Sequence, residues 1–184
     1  HGFTCFTNFC DRHTAELFLY FQVSVSSDEV SSALTDFEAR TEGRLTEGKV
    51  WIWYTDNDLA FEGPKVKEVS AKLVGEHHRG PAGDANKNTN PVAERSIGII
   101  RQMILAMSAF PRQYGYDAAP ECLWSWAAQQ AELLVYFLNT AAHNPPTSPY
   151  RFSHPDAPPA DMSWAYPMFC DVTVRLQDSD LRGK

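Results

Sequence analysis

Two apolar, aromatic-rich runs open the chain, Phe3 to Cys10 and Leu17 to Phe21, joined by Asp11-Arg12-His13-Thr14. That spacing predicts an antiparallel hairpin. The second run, Leu17-Phe18-Leu19-Tyr20-Phe21, hardly alternates, which predicts a strand covered on both faces. Ser26 then precedes Glu29 in a capping-box pattern. Val30, Ala33, Leu34 and Phe37 follow at helical spacing, so a helix to about Arg44 is expected. After Gly48, the run Val50-Trp51-Ile52-Trp53-Tyr54 reads as a buried strand leading into Thr55-Asp56-Asn57.

The polar stretch from Glu62 to Thr89 carries Gly75, Gly80, Pro81 and Gly83, which predicts a short helix over Lys65 to Leu73 and then a loop. Asn90-Pro91 opens the most regular helix of the sequence. Asn90 is a good N-cap and Pro91 has its φ already set for the first turn. Ala93, Ile97, Ile100, Ile104 and Met107 form its apolar stripe. Another helix is expected from Pro120 to Thr140, with Trp124, Ala127, Ala131, Leu134 and Leu138 on one side. Asn144 to Pro159 holds six prolines in sixteen residues and is read as irregular. Met168 to Leu176 alternates as a last strand would. The order β-β-α-β-α-α-α describes one α/β domain with a Pro-rich tail.

Composition narrows the class. With 184 residues and 43% hydrophobic content, one domain can bury a core. No run approaches the roughly 20 apolar residues of a membrane span, so no membrane partner is expected. His1 and the polar end at Lys184 are read as ends of a piece of something longer. The four cysteines, Cys5, Cys10, Cys122 and Cys170, form no C-x-x-C pair and read as free thiols rather than a zinc site. A net charge of −7 excludes a surface that is basic throughout, so any DNA contact must come from a local patch or from segments beyond the chain.

Two acids carry the candidate chemistry. Asp56 follows a strand end, where open α/β sheets bind ligands; equally, it could open a turn with Asn57 and Asp58. Glu94 lies in the first turn of the Asn90 helix, with Gly98 and Arg101 following at i+4 and i+7; equally, it could serve the helix dipole. Together, two carboxylates on rigid elements can share hard divalent cations that prefer oxygen. Such ions, in pairs about 4 Å apart, activate a water or 3′-hydroxyl and stabilise the leaving oxygen of a phosphodiester. His77-His78 reads as part of a solvated loop, and Trp124, Trp126 and Trp164 read as packing residues.

Several segments taken in order carry a resemblance. Trp53-Tyr54-Thr55-Asp56-Asn57, then Asn90-Pro91-Val92-Ala93-Glu94-Arg95, then Arg101-Gln102-Met103-Ile104, resemble the second half of the D,D-35-E signature, with 37 residues between Asp56 and Glu94. Trp124-Ser125-Trp126-Ala127, Tyr136 to Thr140, Ser148-Pro149-Tyr150 and Phe169 to Val174 resemble the segments C-terminal to that signature in Ty1/copia-type retrotransposon integrases. The resemblance implies an RNase H-like α/β fold over residues 1–142 without its first strand, and a Pro-rich linker and C-terminal extension over 143–184. It implies Asp56 and Glu94 as catalytic ligands of Mg²⁺ or Mn²⁺, with Asn57, Asn90, Arg95 and Arg101 near bound DNA. It further implies insertion of element cDNA into host DNA, a homo-oligomer in the full-length protein, and residence in the cytoplasm and nucleus. The first acid of the triad would lie on a strand upstream of His1, and Asp11 matches a turn residue instead. Asp58 and Pro91 stand where the family usually has Gly, as in a drifting copy. An inactive or domesticated nucleic-acid-binding fragment is therefore the second expectation.

Overall fold

In the computed structural model, residues 2–41, 51–55, 59–72, 75–79, 90–115, 120–138 and 145–162 are described. The first hairpin forms as its pattern predicts: β1 (Cys5–Cys10) pairs antiparallel with β2 (Leu17–Gln22), Cys5 opposite Gln22 and Cys10 opposite Leu17. Asp11 organises the turn. Its Oδ1 accepts from the His13 backbone N–H at 2.9 Å and its Oδ2 accepts from the Thr14 hydroxyl at 2.8 Å. Ala15 closes the turn in the left-handed region, at φ 60°.

Because alternate side chains of a strand face opposite ways, β2 feeds two cores. Phe18 and Tyr20 pack with Val30, Leu34 and Phe37 of α1 (Ser27–Thr41) and with Val66 of α2 (Pro64–Lys72). Leu17 and Leu19 pack with Ile100 of α3 (Pro91–Ala109) and with Ala128 and Ala131 of α4 (Trp124–Phe137). Helices therefore cover both faces of the hairpin, as the unbroken apolar run implied. The Ser26 cap forms too, its hydroxyl accepting from the Glu29 N–H at 3.3 Å. Gly63, just before α2, sits where a Cβ would collide with the side chain of Ser27, so glycine permits the close approach of α2 to the start of α1.

Four expectations are corrected. Residues Gly75–Arg79 form a strand, β4, rather than a loop, running parallel to β3 (Trp51–Thr55) with Tyr54 beside His78. Glu76-His77-His78-Arg79 has no apolar periodicity, so pairing with β3 specifies this strand rather than local pattern. β3 is not buried on both faces: Ile52 and Tyr54 are 49% and 40% exposed. The Pro-rich arm contains a short helix, α5 (Pro149–Ser153), because proline suits the first helical position and the Ser148 hydroxyl caps the turn by accepting from the Arg151 N–H. Finally, α4 is shorter than expected and buries Ser125, Ala127, Ala128 and Ala131, while Leu138 is exposed. The end of the first helix near Arg44, the loop over 80–89, Trp164 and the strand from Met168 to Leu176 lie outside the described residues.

Among the described residues, β1 pairs only with β2 and β3 only with β4. The sheet is split into two ribbons. Between them lies a cavity of about 750 Å³, lined by Phe6 to His13 on one side and by Ile52 to Thr55 on the other.

Candidate functional site

Of the two sequence-predicted acids, Glu94 meets this cavity, from α3. Glu94 lines it together with Asn90, Ala93 and Ile97, so the first two turns of α3 form one wall. The Asn90 side chain places that wall. Its Oδ1 accepts from the Ala93 N–H at 3.4 Å as an N-cap, and its Nδ2 donates to the Tyr54 carbonyl at 2.9 Å. The helix start carrying Glu94 is therefore tied to the end of β3. Asp56 follows Thr55 directly in the chain. Asp56 and Asn57 themselves lie outside the described residues. Glu94 is exposed, and among the described residues no ion pair or hydrogen bond engages its carboxylate. Among those residues there is also no cluster of three metal-ligating side chains.

The other candidates divide. Asn90 spends both ends of its amide within the protein, on the cap and the β3 carbonyl. Arg95 and Arg101 are exposed on α3, and neither lines the cavity. Asp11 lines the cavity, yet both its carboxylate oxygens serve the β1–β2 turn, as its reading as a turn residue requires.

Several contacts at the site were not foreseen. Ser96 is buried, accepts from Asn8 Nδ2 at 2.7 Å and donates to the Ala93 carbonyl at 2.7 Å, fixing α3 on β1. Burial, with the Asp11 charge adding to it, pushes the neighbouring Cys10 thiol up to about 11, so it is protonated at neutral pH. His77 Nε2 and Thr55 Oγ1 lie 2.7 Å apart, locking β4 to the last residue of β3. The Arg12 guanidinium stands 4.2 Å over the Tyr54 ring, against which His78 stacks at 5.4 Å. These contacts join residues remote in sequence, so no local pattern announces them. The lack of apolar residues in the pair His77-His78 pointed away from a strand.

Val25, Ile52, Tyr54 and Ile97, all lining the cavity, are exposed large apolar residues. The Asn8 Oδ1 and Gln22 Nε2 atoms are buried without a hydrogen-bond partner, and both residues also line it. Among the described residues neither β1 nor β3 has a second strand partner, so the groove between them, apolar and holding unsatisfied polar atoms, has the chemistry of a place for an extended segment.

No helix among the described residues is long and apolar enough to cross a membrane. No known protein family matches the chain as a sequence profile, and no curated protein matches it. Solved structures do. A chain of the simian T-cell lymphotropic virus intasome, in complex with the PP2A regulatory subunit B56 gamma, superposes with a TM-score of 0.61 at 17% identity. The match covers 94% of this chain and 58% of that one, so this chain spans little more than half its length. The HTLV-2 integrase catalytic core with magnesium, in its dimeric form, gives 0.57 at 16% identity, covering 82% of this chain and 83% of that one. The catalytic core of BIV integrase gives 0.54 at 11% identity, covering 80% and 90%. The chain has the mixed α/β fold of retroviral integrase catalytic cores.

Proposed function

We propose that this chain is the core of a retrotransposon integrase of the Ty1/copia type, with an RNase H-like fold, that joins element cDNA to host DNA. The observation that carries the reading is the Asn90–Tyr54 tether. It brings the helix turn bearing Glu94 to the strand that runs into Asp56, within the fold of integrase cores. Carboxylates are the donors a hard divalent ion prefers, and Asp56 and Glu94 would hold Mg²⁺ or Mn²⁺. Bound there, the metal would supply Lewis acidity to the phosphodiester and its attacking oxygen. The chain's own contribution is positional: the cap and tether of Asn90 and the lock between Ser96 and Asn8 keep Glu94 in register with β3.

A third acid would complete the metal affinity, and the groove between β1 and β3 would be its place. The strand that the family resemblance implies ahead of Phe3 would lie between β1 and β3 and offer backbone groups to Asn8 and Gln22. The HTLV-2 catalytic core was solved with magnesium in a trimeric form as well as the dimeric one, which supports Mg²⁺ use and a homo-oligomer here. A cDNA-inserting enzyme would act first in the cytoplasm and then in the nucleus.

The test is strand transfer by a version carrying the upstream strand. Asp56→Asn and Glu94→Gln should each abolish Mg²⁺-dependent joining of an oligonucleotide end to plasmid DNA while leaving the melting transition in place. Joining that survives either change would overturn the assignment. The second reading, an inactive or domesticated DNA-binding fragment, draws support from the net charge of −7 and from Asp58 and Pro91 at usual glycine positions. It would be sustained by DNA binding without joining in the version carrying the upstream strand.

A further inference from the structure

We propose that Arg12, Tyr54 and His78 form a stacking shelf that holds an unpaired base at a DNA end beside Glu94, an assignment that rests on the DNA-joining reading above. Tyr54 and His78 are register partners on the parallel strands β3 and β4, so their rings project from the same face of the ribbon. The rings stack at 5.4 Å with 27° between their planes. Arg12, arriving from the β1–β2 turn, sets its guanidinium 4.2 Å from the Tyr54 ring centre. This pile is at the surface: Tyr54 is 40% exposed, the His78 side chain 48% exposed, and Arg12 is exposed as well. A cation over an exposed aromatic ring is the combination that receives nucleobases, because every base has a π-face and every nucleotide a phosphate.

Its position gives the shelf a task. Arg12, Tyr54 and Glu94 line the same cavity, and the carbonyl of Tyr54 itself receives the Asn90 amide that anchors the Glu94 helix. A base stacked on the Arg12 and Tyr54 end would place its sugar-phosphate in the cavity that the candidate metal ligand lines. The net charge of −7 offers no general attraction for DNA, so local contacts of this kind must supply the affinity. The shelf is also polar end to end. Glu76 binds His78 at 3.0 Å and would repel phosphate on that side, so the backbone should run past Arg12. An unpaired base is required because a base within a duplex has both faces covered.

The experiment compares fluorescein-labelled duplexes, one blunt and one with a two-nucleotide single-stranded 3′ overhang, by anisotropy with the full chain. The overhang should bind about tenfold more tightly. Tyr54→Leu should reduce it to the blunt level, while Tyr54→Phe, which keeps the ring, should retain the preference. Arg12→Ala, on an exposed turn, should weaken binding and lower the salt slope by about one. An overhang preference that survives Tyr54→Leu, or that Tyr54→Phe loses equally, overturns the shelf and leaves the DNA-joining reading standing. Wild-type chain that binds neither duplex overturns the shelf, while the joining reading is decided by strand transfer in the version carrying the upstream strand. Binding that passes all these tests, followed by failure of strand transfer in the version carrying the upstream strand, overturns only the joining reading.

Discussion

Replacing Asn90 separates two roles that one side chain performs. Its Oδ1 caps α3 through the Ala93 N–H, and its Nδ2 ties that helix to the Tyr54 carbonyl. Loss of a cap costs about 1 kcal/mol. A hydrogen bond of the second kind contributes about 1 kcal/mol, toward the lower end here because it is exposed. Asn90→Ala loses both and should destabilise the chain by about 1.5–2 kcal/mol. Asn90→Ser keeps a capping oxygen but has no amide to reach β3, so its cost should be under about 1 kcal/mol. If the tether positions Glu94, the two variants should nonetheless weaken metal binding alike. Urea melts give the stabilities, and a Mn²⁺ titration followed by shift of the melting transition, in the version carrying the upstream strand, gives the affinities. An Asn90→Ser protein with wild-type metal affinity would refute the argument, since the tether would then be incidental to the site.

Other outcomes rest on the same packing. Ser96→Ala leaves the Asn8 amide unpaired in a part-buried place and should cost about 1–3 kcal/mol in urea melts, more than an exposed Ser32→Ala. Ile100→Ala, at a fully buried position between α3 and the hairpin, should cost about 2–5 kcal/mol. Gly63→Ala should cost about 1–3 kcal/mol because its new methyl meets Ser27, and Ser27→Gly in the same chain should recover part of that. The Cys10 thiol, raised from 9.0 to about 11, contributes stability that is fully present below pH 9 and lost as pH climbs to 11, about 3 kcal/mol in all. Cys10→Ala should flatten alkaline unfolding over that window. In thiol labelling at pH 8, exposed Cys122 should react well before Cys10.

Elements that bury an apolar face were legible in the sequence. The hairpin, the Ser26 and Asn90 caps and the two-sided burial of β2 all follow from local spacing. β4 was not, because Glu76 to Arg79 carries neither alternation nor β-branched residues, and only the partner strand makes it a strand. The exposure of Ile52 and Tyr54 was hidden for the converse reason. An apolar run announces that it can be covered, not that this stretch of chain supplies the cover. At the candidate site, Glu94 was singled out by its place in the first turn of a strong helix together with the family resemblance, and that turn is tied to β3 by an amide contact across 36 positions. The Arg12–Tyr54–His78 pile joins three elements and left no trace in any window of sequence.

The divided sheet has a thermodynamic consequence. If a further strand carrying a third carboxylate, as proposed, enters between β1 and β3, it closes two edges and brings that carboxylate in the same act. Strand and metal are then mutual effectors: whatever factor one adds to the affinity of the other is returned in full. Divalent ion should tighten the capture of a synthetic strand peptide by this chain, and the peptide should tighten the ion by an equal ratio. Until that closure, the open edges are templates for the corresponding edges of other copies, and association between chains competes with completion of the sheet. Metal supply would therefore bear on how much of the protein stays available for completing the sheet.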